Sequence, residues 1–242
     1  MTCGLSSTWV ITEHGEVFGW GTLDEDQAEQ GPGQSEPQRL PARVGSHAEF
    51  HFKHPVAIAA GSWHVAAVDD SGALWTWGRG KEGQLGHGRH MRHKTRPARL
   101  SLPGACVRMV TCGGLHTIAL TAEGHVFTCG SNAFGQLGHG DADDRFSFTR
   151  VGALSAHIVA AAAGHFHSIA VSAQGSLYTW GDGAYGCLGL GDEEQRMVPT
   201  QLGSHQFMGS TMTAVATGFA HTLALGSDGA LFVWGWGFRG QP

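Results

Sequence analysis

One spacing of glycines recurs five times along this chain of 242 residues. Within one copy the glycines are separated by 11, 6 and 8 residues. Three copies keep every step: Gly61, Gly72, Gly78 and Gly86; Gly113, Gly124, Gly130 and Gly138; Gly164, Gly175, Gly181 and Gly189. The first copy (Gly4, Gly15, Gly21) and the fifth (Gly218, Gly229, Gly235) keep the first two steps, and Gln27 of the first still matches Gln84 and Gln136. A repeat of about 50 residues predicts stacked structural units, because each unit buries its apolar face against a neighbour.

The segments between these glycines predict strands. The first glycine is followed by "HVAAV", "HTIAL", "HSIAV" or "HTLAL", and a turn such as "DDSG" leads into "ALWTWG", "HVFTCG", "SLYTWG" or "ALFVWG". Short apolar runs bounded by turn residues are typical of buried strands. The segments "RPARL" (96–100) and "VPTQL" (198–202) favour an outer, edge-like strand because each contains proline. We therefore predict an all-β fold, a β-propeller of four-stranded blades, with four full repeats plus most of a fifth.

We expect a single domain over residues 1–242, with repeats at about 1–57, 58–109, 110–160, 161–214 and an incomplete 215–242. The net charge of −5 argues against general or sequence-specific nucleic-acid binding. The five cysteines form no C-x-x-C pair, which predicts neither a disulfide framework nor a thiolate metal site and favours the cytoplasm or nucleus. No apolar run reaches about 18 residues, so we expect no membrane span.

Residues that recur once per repeat are expected to build the scaffold. His64, His116, His167 and His221 share one position, where the first copy has Ser7. We interpret them as structural hydrogen-bonding groups between neighbouring strands. The same scaffold role is expected for Gly61, Gly72, Gly78, Gly86, Gly113, Gly130, Gly138, Gly164, Gly181, Gly189, Gly218, Gly235, Trp77, Trp180 and Trp234. Because "HMRH" (90–93) and "HFH" (165–167) have no evident carboxylate or thiolate partner, we predict no metal site. The sequence contains no G-x-x-x-x-G-K-[ST] motif, no lysine or serine set for covalent catalysis and no paired carboxylates outside the repeat turns, so we predict no cofactor, no catalytic site and no enzyme.

The repeated motifs also carry a family resemblance. The pattern G-x-x-H-[ST], then G-x-[LV]-[FWY]-x-[WC]-G and G-Q-L-G, resembles the repeats of the regulator of chromosome condensation superfamily. The resemblance implies part of a ring of about seven blades, in a larger chain. A short propeller closed by its own ends or by a partner is the alternative. The resemblance also implies guanine-nucleotide exchange on a small Ras-like GTPase, with chromatin binding, although the insert at about 30–55 contains no recognisable wedge motif for exchange.

One branch of this family senses ultraviolet-B light through tryptophans in G-W-R-H-T segments. The matching segments here are "GSWHV", "GGLHT", "GHFHS" and "GFAHT". None has tryptophan directly after the glycine, and none has the arginine. The segments therefore disfavour photoreception.

Residues that differ between repeats are the candidates for partner binding, because variable loops on a rigid scaffold usually carry function. One loop set follows the W-G pair and supplies aromatic residues; the other follows G-Q-L-G and is basic in one repeat but acidic at 24–26, 141–144 and 192–194. The candidate rim residues are Arg79, Lys81, Arg89, Arg92, Lys94, Phe134, Tyr185, Trp236, Phe238 and Arg239. The alternatives are that the aromatic residues cap blade ends and that the charges form a solvated edge.

The sequence thus favours a non-enzymatic protein-interaction scaffold that uses its propeller rim, within a larger chain or assembly. The expected partners are proteins: a small GTPase, histones or an acidic protein. The alternative function is guanine-nucleotide exchange.

Overall fold

The computed structural model describes residues 1–22, 38–44, 54–102 and 104–237. These residues form five antiparallel sheets, four with four strands and one with three. The predicted all-β propeller is confirmed. We call each sheet a blade and number the blades in chain order. Within each four-stranded blade, the order of strands in space follows their order in the sequence.

The strand bounds are as follows. Blade 1 comprises β1 (Thr2–Cys3), β2 (Ser7–Ile11), β3 (Val17–Gly21) and β4 (Gln38–Val44). Blade 2 comprises β5 (Pro55–Ala60), β6 (His64–Asp69), β7 (Leu74–Arg79) and β8 (His93–Leu100). Blade 3 comprises β9 (Val107–Cys112), β10 (His116–Thr121), β11 (Val126–Gly130) and β12 (Arg145–Arg150). Blade 4 comprises β13 (Ile158–Ala163), β14 (His167–Ser172), β15 (Leu177–Gly181) and β16 (Arg196–Gln201), and blade 5 comprises β17 (Met212–Thr217), β18 (His221–Gly226) and β19 (Leu231–Gly235).

The first strand of every blade borders a common central cavity. This cavity of about 510 Å³ is lined by residues of β1, β5, β9, β13 and β17. The opposite edge of the complete blades is the last strand, and the predicted outer segments lie there, in β8 and β16. Pro97 and Pro199 fall inside these strands, and an edge position tolerates proline because no further strand needs its missing N–H.

The core lies between the blades. In blade 2, Val65 and Trp77 pack towards blade 1, whereas Val68 and Leu74 pack towards blade 3. This division follows from the pleat of a strand, in which successive side chains point to opposite faces. Each G-x-L-G turn adds one buried leucine, Leu85, Leu137 or Leu188, and each of the three is at most 1% exposed. All four junctions between blades are closed by such apolar clusters.

The outer face of blade 5 is the exception to this packing. Leu225 and Leu231 are 40% and 61% exposed, whereas the matching residues of blade 4, Val171 and Leu177, are buried against blade 5. Among the described residues, no sheet covers that face. The helical segments of the described residues are two short 3-10 turns, Ala184–Gly186 and Ser204–Phe207, and neither is long enough to cross a membrane.

Candidate functional site

The recurring histidines lie at the junctions between blades. His116 Nε2 is 2.9 Å from Ser168 Oγ in the next blade, and Ser168 Oγ donates to the backbone oxygen of Gln136 at 2.8 Å. The indole N–H of Trp180 donates to the same oxygen at 2.8 Å. Because the single hydroxyl proton of Ser168 goes to Gln136, His116 is the donor and carries its proton on Nε2. We call this arrangement the junction lock.

The same lock joins blades 2 and 3 and blades 4 and 5. His64 Nε2 is 2.8 Å from Thr117 Oγ1, which donates to the backbone oxygen of Gln84 at 2.7 Å. The corresponding group between blades 4 and 5 is His167, Thr222 and the backbone oxygen of Cys187, with distances of 3.0 and 2.9 Å. Trp234 donates to that Cys187 oxygen at 2.9 Å. In each lock, therefore, the histidine forms a hydrogen bond with a hydroxyl group in the second strand of the next blade.

In the four repeats that contain the histidine, the first glycine makes room for its ring. A Cβ atom at Gly61 would lie 2.5 Å from Cε1 of His64, and a Cβ at Gly113 would be 2.5 Å from Nδ1 of His116. Any side chain at this glycine would collide with the imidazole. The G-x-x-H spacing of the sequence is thus a packing requirement.

Burial keeps the lock histidines neutral. Desolvation lowers the pKa of His64 to about 4, that of His116 to about 3 and that of His167 to about 4. Burial also raises the pKa of the Cys112 and Cys187 thiols to about 12, which leaves them protonated and poorly nucleophilic. No group of three or more possible metal ligands occurs in the described ranges. These groups therefore form the scaffold, and the candidate site lies elsewhere.

The two variable loop sets meet at one end of the propeller. The backbone N–H of Asp182, just after a W-G pair, donates to the oxygen of Phe166 at 2.9 Å, and Trp236 makes the same bond to Ala220 at 2.8 Å. The loops after G-x-L-G return to the same end of the propeller, because Arg145, at the start of β12, lies opposite Gly130, at the end of β11, in the antiparallel sheet. Arg196 of blade 4 does the same with Gly181.

Six ring side chains form a continuous line at this end, across blades 3, 4 and 5. We call it the aromatic ridge; its rings belong, in order, to Phe134, Phe166, His165, Phe219, Trp236 and Tyr185. Centroids of neighbouring rings are 4.2 to 6.4 Å apart. His165 stacks on Phe219 beside the central cavity, which both residues line, and Tyr185 stacks on Trp236 at 5.4 Å.

Three rings of the ridge are open to solvent. Tyr185 is 55% exposed, Phe219 54% and Trp236 37%. Tyr185 also has a φ of 60°, a left-handed conformation that is uncommon for a residue with a side chain. A cluster of exposed aromatic residues is unusual on a protein surface and is typical of binding sites.

The ridge contains three of the rim candidates and three residues that the sequence did not nominate. Phe134, Tyr185 and Trp236 were predicted, whereas Phe238 and Arg239 lie outside the described residues. The additional members, His165, Phe166 and Phe219, occupy the two positions after the first glycine of a repeat. Those positions differ in every copy ("SW", "GL", "HF", "FA"), and this variation was the signal that could have found them.

The basic candidates lie at the same end, on blade 2. The Arg79 side chain is 18% exposed and forms an ion pair with Glu82 at 2.8 Å. The guanidinium of Arg89 lies 4.4 Å from the ring centroid of Phe146. Lys81 and Arg92 are exposed, and Lys94 is half-buried. Arg79 and Arg89 thus already contact neighbouring side chains, and we call this region the basic sector.

Two acidic turns, residues 141–144 and 192–194, stand beside the ridge. Asp141 pairs with Arg145 at 2.6 Å, and Asp192 pairs with Arg196 at the same distance. The amide of buried Asn132 fixes the first turn by donating to the backbone oxygen of Asp141 at 2.7 Å. The second turn packs its backbone against Gly183, two residues before Tyr185. Blade 4 therefore carries an exposed ring together with carboxylates, and blade 3 adds a second acidic turn beside the ridge.

The repeats and their geometry agree with a comparison to known families. The family model described as RCC1-like domain matches residues 1–242. The chain belongs to the RCC1-like domain family.

Two curated relatives illustrate this family. The ultraviolet-B receptor UVR8 of Arabidopsis thaliana is 34% identical over 243 residues, which cover 100% of this chain and 54% of the receptor. The probable E3 ubiquitin-protein ligase HERC4 of Homo sapiens is 34% identical over 212 residues, or 86% of this chain and 20% of the ligase. The chain thus spans about half of one relative and a fifth of the other.

Solved structures contain the same RCC1-like fold. Human WBSCR16 is similar with a TM-score of 0.83 and 25% identity, over 97% of this chain and 61% of that one. Yeast RCC1 (Prp20), solved with Kap60 bound, has a TM-score of 0.79 and 25% identity over 96% of this chain and 55% of that one. Within this RCC1-like domain the ridge is built from positions that vary among the chain's own repeats, so it is distinct from the repeated scaffold.

Proposed function

We propose that this chain is a non-enzymatic protein-interaction domain that binds partner proteins with its aromatic ridge. The observation that carries the proposal is the continuous line of six rings, three of them 37 to 55% exposed. Tyrosine, tryptophan and phenylalanine are enriched at the centres of protein interfaces, where they supply a large apolar area at low entropic cost.

The surroundings of the ridge support binding rather than capping of blade ends. A ring that only capped a blade would be covered by its neighbours, as Trp180 is with 0% exposure. Tyr185 and Phe219 instead expose more than half of their surface. Blades 4 and 5, which carry these rings, are joined by the junction lock of His167 and Thr222, so the rings are held on a rigid base. A preorganised surface of this kind loses little entropy on binding.

The proposal is tested by capturing proteins from a cell lysate with the full chain. The wild type, a Tyr185→Ala/Trp236→Ala variant and a Val198→Ala control are compared by quantitative mass spectrometry. Val198 is a suitable control because it is 43% exposed but lies on the outer strand β16. We expect specific partners that the control retains and the ridge variant loses. Partners captured equally by all three proteins would refute the role of the ridge.

Guanine-nucleotide exchange on a small GTPase remains the second candidate. It is favoured by the similarity to yeast RCC1 at 25% identity and a TM-score of 0.79. The direct test is the release of a fluorescent guanine nucleotide from a panel of small GTPases. Acceleration at catalytic amounts of this chain would establish exchange, and an unchanged release rate across the panel would exclude it for those GTPases.

We also propose that the chain acts inside a cell, in the cytoplasm or nucleus, as part of a larger assembly. All five cysteines are free thiols, and Cys3 and Cys106 are exposed, which suits a reducing compartment. Expression with a fluorescent tag at each end tests the location. Recovery of the chain from the secretory route would contradict it.

A further inference from the structure

We infer that the outer face of blade 5 binds blade 1 of a second copy of this chain, in a head-to-tail contact closed by His221 and Thr8. Each of these two faces carries one half of the junction lock. The contact is made between the faces of two sheets and does not use the aromatic ridge, so it is independent of the proposed function.

The outer face of blade 5 has the apolar surface of a blade junction. Leu225 and Leu231 occupy the positions that Val171 and Leu177 have in blade 4. In blade 4 these side chains pack against the next sheet and are at most 1% exposed, whereas on blade 5 they are 40% and 61% exposed. Covering them would remove apolar surface from water, which favours association.

The same face presents a lock histidine in the conformation of the other locks. A Cβ atom at Gly218 would collide with Cε1 of His221, so this ring fills the space above its glycine as the ring of His167 does. His167 donates from Nε2 to the hydroxyl of Thr222. His221 has no hydrogen-bonding partner for its ring in the described part of the chain. The face therefore lacks one group, a hydroxyl on a sheet that covers it.

Blade 1 carries the missing hydroxyl. Thr8 stands four residues after Gly4, the position of the hydroxyl in all three locks. Its Oγ1 lies 3.9 Å from the sulfur of Cys3, which is a weak acceptor, and makes no other hydrogen bond within the residues described. Thr8 is thus a lock hydroxyl without a histidine.

Apolar side chains surround Thr8 on the face of blade 1 that is turned away from blade 2. Val10 and Trp20 are half-buried there, whereas the matching residues of blade 4, Ala170 and Trp180, are 0% exposed. Ala170 and Trp180 pack against blade 3, the blade that precedes them. Blade 1 therefore presents to solvent the face that blade 4 presents to its predecessor.

The two faces are complementary and unlike each other. Blade 5 offers the histidine donor and blade 1 offers the hydroxyl acceptor, so two copies of the same face cannot complete a lock. The contact is therefore head-to-tail. A contact of this kind leaves one face of each type free on the dimer, so it adds further copies as the concentration rises.

Sedimentation velocity of the full chain between about 1 and about 100 μM measures this association. We expect the average mass to rise with concentration above that of one chain. Leu225→Asp should abolish the rise, because it would bury an unpaired charge in the contact. Val198→Asp is the matched control, since Val198 is 43% exposed but lies on the outer strand β16, and it should associate like the wild type. Circular dichroism establishes that each variant is folded.

Mixing two variants tests the head-to-tail direction. Thr8→Asp blocks blade 1 and Leu225→Asp blocks blade 5, so each variant alone should keep the mass of one chain. An equimolar mixture restores one intact pair of faces and should form dimers and nothing larger. Thr8→Val removes the hydroxyl but retains the shape, and it should weaken the association of the otherwise wild-type chain about tenfold, whereas Thr8→Ser should change it less than about threefold.

The inference is overturned if the wild type keeps the mass of one chain over the whole range, which would leave the outer face of blade 5 to a different protein. It is also overturned if Thr8→Asp alone still associates, because the contact would then lie on another surface. Equal association of Thr8→Val and Thr8→Ser would remove the lock from the contact and refute the inference in this form. None of these results bears on the ridge, whose partners are measured separately with the Tyr185→Ala/Trp236→Ala variant.

Discussion

Acidification from pH 7.5 to 5.5 should destabilise this propeller through its junction locks. His64, His116 and His167 are buried and neutral, and desolvation lowers their folded-state pKa values to about 4, 3 and 4. In the unfolded chain each has an ordinary pKa of about 6.5. Between these values the unfolded state binds more protons than the folded state. The free energy of unfolding therefore falls as the pH falls through 6.5, and the full contribution is present only above that pH.

The size of the effect follows from this gap in pKa. At pH 5.5, one unit below the unfolded pKa, each histidine lowers the free energy of unfolding by about 1.4 kcal/mol, so the three together lower it by about 4 kcal/mol. The buried carboxylate of Asp69 does not titrate in this pH range. Although burial raises the pKa of Asp69, hydrogen bonds from Ser71, Trp75 and Ala73 hold it below 3.8, so its contribution is lost only at lower pH.

Urea unfolding followed by tryptophan fluorescence at pH 5.5, 6.5 and 7.5 measures this dependence. His116→Gln retains a donor for Ser168 but cannot titrate, so its loss of stability between pH 7.5 and 5.5 should be smaller than that of the wild type by about 1.4 kcal/mol. The reasoning is refuted if His116→Gln and the wild type lose the same stability over this range.

Three further substitutions test the packing. Ser168→Ala should lower the free energy of unfolding by about 2 kcal/mol, because it leaves the buried Nε2–H of His116 without an acceptor, and the other ring nitrogen, Nδ1, already has no hydrogen-bond partner. Urea titration checks this, and a change below about 0.5 kcal/mol would contradict the lock. Gly113→Ala should lower the free energy of unfolding by at least about 3 kcal/mol, because its Cβ would collide with the His116 ring. Gly152→Ala, which has open space around it, should leave the free energy of unfolding nearly unchanged. Thermal melts of the two variants and the wild type check both expectations. Asn132→Ala removes the hydrogen bonds that the Asn132 side chain donates to Asp141 and accepts from the Leu137 N–H. Limited proteolysis should therefore cut residues 133–144 faster than in the wild type. Unchanged cleavage would argue against this support of the acidic turn.

The blades could be predicted from the sequence because their requirements repeat. A glycine that must clear a histidine ring, as Gly61 clears His64, recurs at the same spacing in every lock. The hydroxyl partner was also within reach, since Thr117, Ser168 and Thr222 all stand four residues after the first glycine. Periodicity of this kind places each residue on a strand, but it does not say that the hydrogen bond crosses to the next sheet.

The junction of blades 1 and 2 shows how the lock residues change together. Ser7 replaces the histidine of blade 1, and Val65 replaces the hydroxyl of blade 2. Trp9 packs edge-on against Trp77 there, with centroids 5.3 Å apart. The histidine donor and its hydroxyl acceptor are thus both absent from this junction, so neither is left buried without a hydrogen-bond partner.

The complete ridge was not predictable, because it depends on contacts between different blades. Phe134 meets Phe166 across one junction, and His165 meets Phe219 across the next. Each ring lies in a loop whose direction is set by bonds such as that from Asp182 N–H to the oxygen of Phe166. No periodic pattern in the sequence encodes that meeting. Sequence variation indicated the loops, and only the three-dimensional arrangement joined them into one surface.

Site-specific photo-crosslinking in living cells tests the binding role of the ridge most directly. A benzophenone amino acid is introduced in place of Tyr185 on the ridge and, separately, in place of Glu123 at the opposite end of the propeller. If the ridge binds partners, crosslinked partner proteins are expected from position 185 and none of those partners from position 123. Crosslinks to the same proteins from position 123 alone would contradict binding at the ridge.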